Sequence, residues 1–151
     1  MTSHVKPIPD GYHTITPVLM VNDAAKLIDF LKQAFDAQEN FRMSGPDGSV
    51  MHAEIKIGDS IVMMGEASEK WKPMAGAIYL YVTDADAIYK RALQAGATSI
   101  MEPADQFYGD RHGGVKDPSG NVWWIATRKE DVSPDELKKR GEAYMKQQSQ
   151  S

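Results

Sequence analysis

The sequence predicts an α+β domain of two tandem βαβββ modules followed by a C-terminal helix, and three observations carry that prediction. The first is an internal repeat: Val21-Asn22-Asp23-Ala24 returns 61 residues later as Val82-Thr83-Asp84-Ala85. The same offset lays residues 24–35 on 85–96, and Ser60-Ile61-Val62-Met63-Met64 on Asn121-Val122-Trp123-Trp124-Ile125. Three segments in one register mark a duplication. The second observation is Asp117-Pro118-Ser119-Gly120, turn chemistry between two segments rich in Val, Trp, Ile and Thr, which suit a pleated and half-buried surface. The third is Ser133-Pro134-Asp135-Glu136, which puts a capping serine before a first-turn proline and a glutamate three residues on.

Taken in order, residues 1–11 read as an extended polar arm carrying Pro7 and Pro9. Residues 13–21 are dense enough in β-branched and apolar types for a strand, which Asn22-Asp23 ends. Leu27, Ile28, Leu31, Ala34 and Phe35 then form one apolar helical stripe, with Asp23 placed to cap its first turn. Residues 37–43 give a second strand, and Ser44-Gly45-Pro46-Asp47-Gly48 a turn. Residues 50–57 and 60–64 make a hairpin closed at Gly58-Asp59. A polar connection over 66–75 leads to the second copy, whose helix has the weaker stripe Ile88, Ala92 and Leu93. The predicted organisation is one domain over 12–130, with modules at about 12–66 and 77–128. A C-terminal helix over 131–146 uses Leu137, Tyr144 and Met145 as anchors, and a disordered tail covers 147–151.

Composition narrows the function. The net charge of −4 leaves no basic footprint for nucleic acid. The absence of cysteine removes disulfides, thiolate metal sites and a cysteine nucleophile. No segment reaches the roughly 20 apolar residues of a membrane span, and residues 1–13 lack the apolar run of a signal peptide, so a cytoplasmic protein is expected.

The duplicated plan, with Tyr108-Gly109-Asp110-Arg111 and Asp117-Pro118-Ser119-Gly120-Asn121-Val122-Trp123 in its second half, resembles the vicinal-oxygen-chelate superfamily of glyoxalase I, bleomycin-resistance proteins and extradiol dioxygenases. Ile125-Ala126-Thr127, followed by Glu130 to Pro134 and Glu136, is similar to its PhnB-like branch. The resemblance implies that the sheets curl into a cup covered outside by helices. It also implies a small-molecule site inside the cup, a divalent metal there in the family's enzymes, and a homodimer. Aligned on the family's ligand positions, on the first and last strand of each module, this chain offers Thr16, Met63, Ala77 and Trp124. Threonine hydroxyl, thioether, methyl and indole make a poor set for a hard divalent cation. No cofactor is therefore expected, with a divalent metal as the alternative.

Counting by twos from those positions turns Thr16, Val18 and Met20, Ile61, Met63 and Gly65, Ala77, Tyr79 and Tyr81, and Val122, Trp124 and Ala126 into the cup. Thr16, Met20, Met63, Tyr79, Tyr81 and Trp124 are thus the expected ligand-binding residues, with Tyr108 at the rim and Arg111 as the anchor for an anionic group if it points inward. The other reading of Arg111 is a structural salt bridge with a nearby aspartate. His52 and Glu54, two apart on a strand, are candidates for acid–base work together with Glu66. The 61-residue offset makes residue 51, not 52, the counterpart of His112, so His52 and His112 are expected on opposite faces. The expected function is binding of a small, partly aromatic or apolar molecule. The alternatives are a glyoxalase-type lyase or isomerase, or a dioxygenase-like enzyme, with a displaced metal or metal-free acid–base residues. A dimeric interaction protein whose cup is filled by its own side chains is the third.

Overall fold

Two aspartates open the two helices of the repeat. Asp23 Oδ1 accepts from the Lys26 amide at 3.3 Å and Asp84 Oδ1 from the Ala87 amide at 3.2 Å, which satisfies first-turn donors that have no intrahelical partner. Helices α1 (Ala24–Phe35) and α2 (Ala85–Gln94) follow. The computed structural model of the chain describes residues 4–150. Its eight strands are β1 (Val18–Val21), β2 (Gln38–Ser44), β3 (Val50–Ile57), β4 (Ser60–Glu66), β5 (Ala77–Tyr81), β6 (Thr98–Asp105), β7 (Asp110–Lys116) and β8 (Val122–Arg128). They form two four-stranded sheets of identical plan, β1-β4-β3-β2 and β5-β8-β7-β6. In each sheet the first strand runs parallel to the last and the other pairs are antiparallel. This is the α+β duplication that the repeat predicts.

The first strand is shorter than expected. Residues 13–17 have no regular structure, and Ile15 is 83% exposed. Pro17 has no amide hydrogen to give a ladder, although its carbonyl accepts from the Met63 amide at 2.9 Å. Pro103 is tolerated within β6 because that strand lies at the sheet edge.

One face of every strand except the edge strands β2 and β6 joins a single core. Leu27, Ile28 and Leu31 of α1 and Ala92 of α2 are fully buried against Ile55, Met64, Val115, Trp123 and Ile125. The end of α1 is tied to the second module: Phe35 packs against Trp123 of β8 with ring centroids 5.1 Å apart, and Arg91 of α2 clamps Asp36 in two hydrogen bonds of 2.8 and 2.9 Å. Because the core holds both helices, the opposite face of each sheet looks away from it. The alternation along β1 shows this, with Leu19 and Val21 buried and Val18 58% exposed.

The Asp117 turn is built into that core. Asp117 accepts from the amides of Ser119 and Asn121, from Asn121 Nδ2 and from Trp123 Nε1, at 2.8 to 3.0 Å. Asn121 Oδ1 in turn accepts from the Gly76 amide at 2.9 Å, which ties the hairpin to the start of β5.

Beyond the sheets, α3 (Pro134–Ser149) starts where Ser133 Oγ accepts from the Glu136 amide at 3.2 Å. None of its residues is buried. Tyr144, ring to ring with Phe107 at 5.1 Å, and Arg140, donating to the Phe107 carbonyl at 3.2 Å, hold it to the domain. Met145 stays 66% exposed and Leu137 38%. The helix runs through the stretch expected to be a disordered tail, as far as Ser149, since Gln147 and Gln148 continue a helix readily; Ser151 lies outside the described residues. Among the described residues no helix is long and apolar enough to cross a membrane.

Candidate functional site

On the second sheet, the face turned from the core carries a connected set of aromatic and hydrogen-bonding side chains. Register places Tyr79 beside Trp124 and Tyr81 beside Ala126, and across β8 sets Gly114 beside Trp124 and His112 beside Ala126. Asp110 is two residues before His112 and so shares its face. The Tyr79 and Tyr81 hydroxyls both donate to Asp110 Oδ2 at 2.8 Å. Tyr79 and Tyr108 also approach His112 Nδ1, at 2.8 and 3.0 Å. The imidazole lies tilted against the Trp124 ring, with centroids 5.7 Å apart and planes at 32°. Gly114 makes room for that indole, since a Cβ there would overlap it.

Electrostatics follow from this packing. Burial, then the hydrogen bond to Asp110, pushes the Tyr79 phenol far above its ordinary value. Tyr81 is raised first by its bond to Asp110, and Tyr108 first by burial. Burial lowers the His112 pKa, while the nearby Asp110 charge opposes that shift. Near neutral pH the set therefore holds protonated phenols around an uncharged imidazole. Asp110 is 3% exposed, and its Oδ1 is buried without a hydrogen-bond partner.

The same face of the first sheet is built differently. Where the second sheet has Tyr79, Tyr81 and Trp124, the first has Val18, Met20 and Met63 at the repeat-related positions. His52 and Glu54 lie on this face, with His52 Nε2 3.9 Å from Glu54 Oε2 and the His52 ring beside Phe41. The N-terminal arm crosses over it: Pro7, Ile8 and Tyr12, with Thr16, Glu54 and Met63, enclose a hollow of about 320 Å³. A larger cleft of about 710 Å³ runs along the open edge of β5 toward the first module, between Tyr79 and Tyr81 on one side and Ile15, Pro17 and Ile61 on the other.

Several expectations need correction. His52 and His112 are true counterparts and face the same way. In the first hairpin Ile57 pairs with Ser60 across two residues, whereas their counterparts in the second, Asp117 and Asn121, are joined from the Asp117 amide to the Asn121 carbonyl at 2.8 Å across three, so the second turn is one residue longer. The last strands keep the 61-residue offset, but the third strands are related by 60, and one residue inverts a strand's faces. That slip hid His112 and Asp110. Arg111 points to the helical face, where it bonds both carboxylate oxygens of Asp86 at 2.8 and 3.1 Å and reaches Asp105 at 3.3 Å. It is not in position to anchor an anion in the cup. Glu66 accepts from the amides of Asp23 and Ala24 at 2.7 and 3.1 Å. It is thus committed to the start of α1, as Thr127 Oγ1 is to the Ala85 amide at 2.8 Å. Tyr79, Tyr81, Tyr108 and Trp124 come together as expected; Thr16, Met20 and Met63 lie with the first module.

At the family's metal positions, Thr16, Met63, Ala77 and Trp124 provide neither carboxylate nor imidazole. Among the described residues no group of three or more His, Asp or Glu side chains is placed to hold an ion. The donor set at those positions does not fit a divalent metal.

The profile of the Glyoxalase/Bleomycin resistance protein/Dioxygenase superfamily matches residues 11–125, and the chain belongs to that superfamily. It is 41% identical over 134 residues to the uncharacterized protein Rv0887c of Mycobacterium tuberculosis, an alignment covering 82% of this chain and 79% of the relative. Among solved structures, TioX from Micromonospora sp. ML1 aligns with a TM-score of 0.67 and 23% identity, over 77% of this chain and 98% of its own. TnmS3, an antibiotic binding protein from Streptomyces sp. CB03234, aligns with a TM-score of 0.63 and 20% identity, over 78% of this chain and 96% of its own. At these identities the two structures share the fold.

Proposed function

We propose that the chain is a binding protein for a small, flat, partly aromatic molecule, received on the face formed by Tyr79, Tyr81, Tyr108, His112 and Trp124. The observation that supports this best is a row of rings whose polar atoms are already interconnected, beside family ligand positions that carry no metal donors. A flat ligand burying about 150–250 Å² against such a wall gains roughly 4–6 kcal/mol before association costs are deducted. The description of TnmS3 as an antibiotic binding protein agrees with this use of the fold.

The face is open in one chain, with Tyr79 and Tyr81 exposed by 39 and 59%, and the matching face of the first sheet is open too, with Val18 58% exposed. We infer that two copies pair, each half-cup closing against the other chain. A thermal-shift and calorimetric screen of bicyclic and tricyclic aromatics, with sedimentation to read the assembly, tests both statements. Saturable binding that Trp124→Ala weakens at least tenfold, in a dimer, is expected; binding indifferent to Trp124 refutes the reading. An acid–base enzyme is the second reading, favoured by the uncharged His112 hydrogen-bonded to Tyr79 and Tyr108, and it requires turnover that His112→Gln abolishes.

A further inference from the structure

We infer that Asp110, acting through Tyr79, fixes which nitrogen of His112 carries the proton, so that the site presents its ligand with one acceptor, His112 Nε2. The inference rests on the binding face proposed above and gives it a ligand class: a flat molecule with an N–H or O–H donor at its edge.

The protons of the relay can be counted from its buried end outward. Asp110 Oδ2 receives the hydroxyl hydrogens of both Tyr79 and Tyr81. A phenol has one hydrogen. Tyr79, having given its hydrogen to Asp110, meets His112 Nδ1 at 2.8 Å with lone pairs alone. That contact is a hydrogen bond only when Nδ1 is the protonated nitrogen. The Tyr108 oxygen, 3.0 Å from the same Nδ1, then serves as a second acceptor. In an uncharged imidazole the remaining nitrogen, Nε2, keeps its lone pair.

The Tyr108 hydroxyl is hydrogen-bonded to that of Tyr79, whose own hydrogen is on Asp110, so the Tyr108 hydrogen is taken up inside the site. Its 3.5 Å approach to Nε2 is long for an O–H donor. Nε2 is therefore the polar atom of the relay left poorly paired. A ligand carrying an N–H or O–H satisfies it, while its ring lies against Trp124. Asp110 does not touch that ligand; it is a positioning residue whose influence passes through the Tyr79 hydroxyl. The first module, with Val18 and Met20 in place of Tyr79 and Tyr81, has no equivalent relay to orient His52.

The tautomer is measurable without any ligand. Long-range ¹H–¹⁵N spectra of the full-length protein, with His112 assigned from a His112→Gln variant among the four histidines, are expected to show a protonated Nδ1 and a lone-pair Nε2. Tyr79→Phe removes the 2.8 Å acceptor and is expected to lower the Nδ1–H population. A wild-type His112 protonated on Nε2, or a population unchanged in Tyr79→Phe, overturns the relay. Phthalimide, whose N–H is flanked by carbonyls, is the ligand probe, and N-methylphthalimide keeps its shape without the donor. The N-methyl compound is expected to bind at least fivefold more weakly, with the difference lost in His112→Phe. Equal binding of the two overturns the ligand class while leaving the binding face intact. Failure of both to bind refutes the binding face itself, together with the ligand class that rests on it.

Discussion

Replacing Asp117 with alanine tests whether the long second turn is held as described. Asp117 is 4% exposed, and Asn121 and Trp123 are completely buried. The substitution strands three buried donors, the Asn121 amide, Asn121 Nδ2 and Trp123 Nε1, along with the less buried Ser119 amide. A buried donor left unpaired costs about 1–3 kcal/mol. Even at the low end the three amount to about 3 kcal/mol, a large share of the roughly 5–15 kcal/mol that holds a domain together. Urea unfolding followed by circular dichroism reads this as a drop in midpoint at an unchanged slope. Asp47 supplies the control, since at an exposed turn it accepts from the amide two residues on, as Asp117 does, and from the Ser49 hydroxyl, with no buried donor among its partners. Asp47→Ala should leave the midpoint almost where it was. A loss below about 1 kcal/mol for Asp117→Ala would refute the claim that this turn is a buried organising element.

Three further outcomes follow from the site and its supports. The His112 pKa is depressed in the fold, so between that value and the unfolded value of about 6.5 the unfolded chain binds more protons. Stability should therefore fall as pH drops below about 6.5, and His112→Gln should flatten that limb in pH-dependent melting. Arg111→Ala should lower the melting temperature slightly by releasing α2 from β7, yet leave the affinity for aromatic ligands unchanged, because the guanidinium lies on the helical face. Glu66→Ala should cost about 1 kcal/mol in urea unfolding through the exposed start of α1, with ligand affinity again unaltered.

The duplication was legible because its signals are local: Asp23 and Asp84 cap helices that carry their own apolar stripes, and Pro118 with Gly120 announces a turn. Tyr79, Tyr81 and Trp124 could be assigned to one face because the first and last strands of each module keep the 61-residue spacing. Asp110 and His112 escaped because the offset changes by one residue at the third strand, a change visible only by comparing Gly58-Asp59 with the longer Asp117–Asn121 turn. Arg111 shifted to the helical face in the same step. The role of Glu66 lay beyond local reading, since its partners Asp23 and Ala24 are more than 40 residues away and meet it only when β4 lines up beside β1.

The central claim is that ligands settle on the ring-lined face of the second sheet. Chemical-shift mapping of the ¹⁵N-labelled protein during titration with phthalimide tests it most directly, because the Trp124 indole N–H and the amides of Tyr79, Tyr81 and His112 each report for themselves. The account predicts saturable shifts concentrated on those residues; shifts confined to the hollow beneath the N-terminal arm, around Tyr12, Glu54 and Met63, would contradict it.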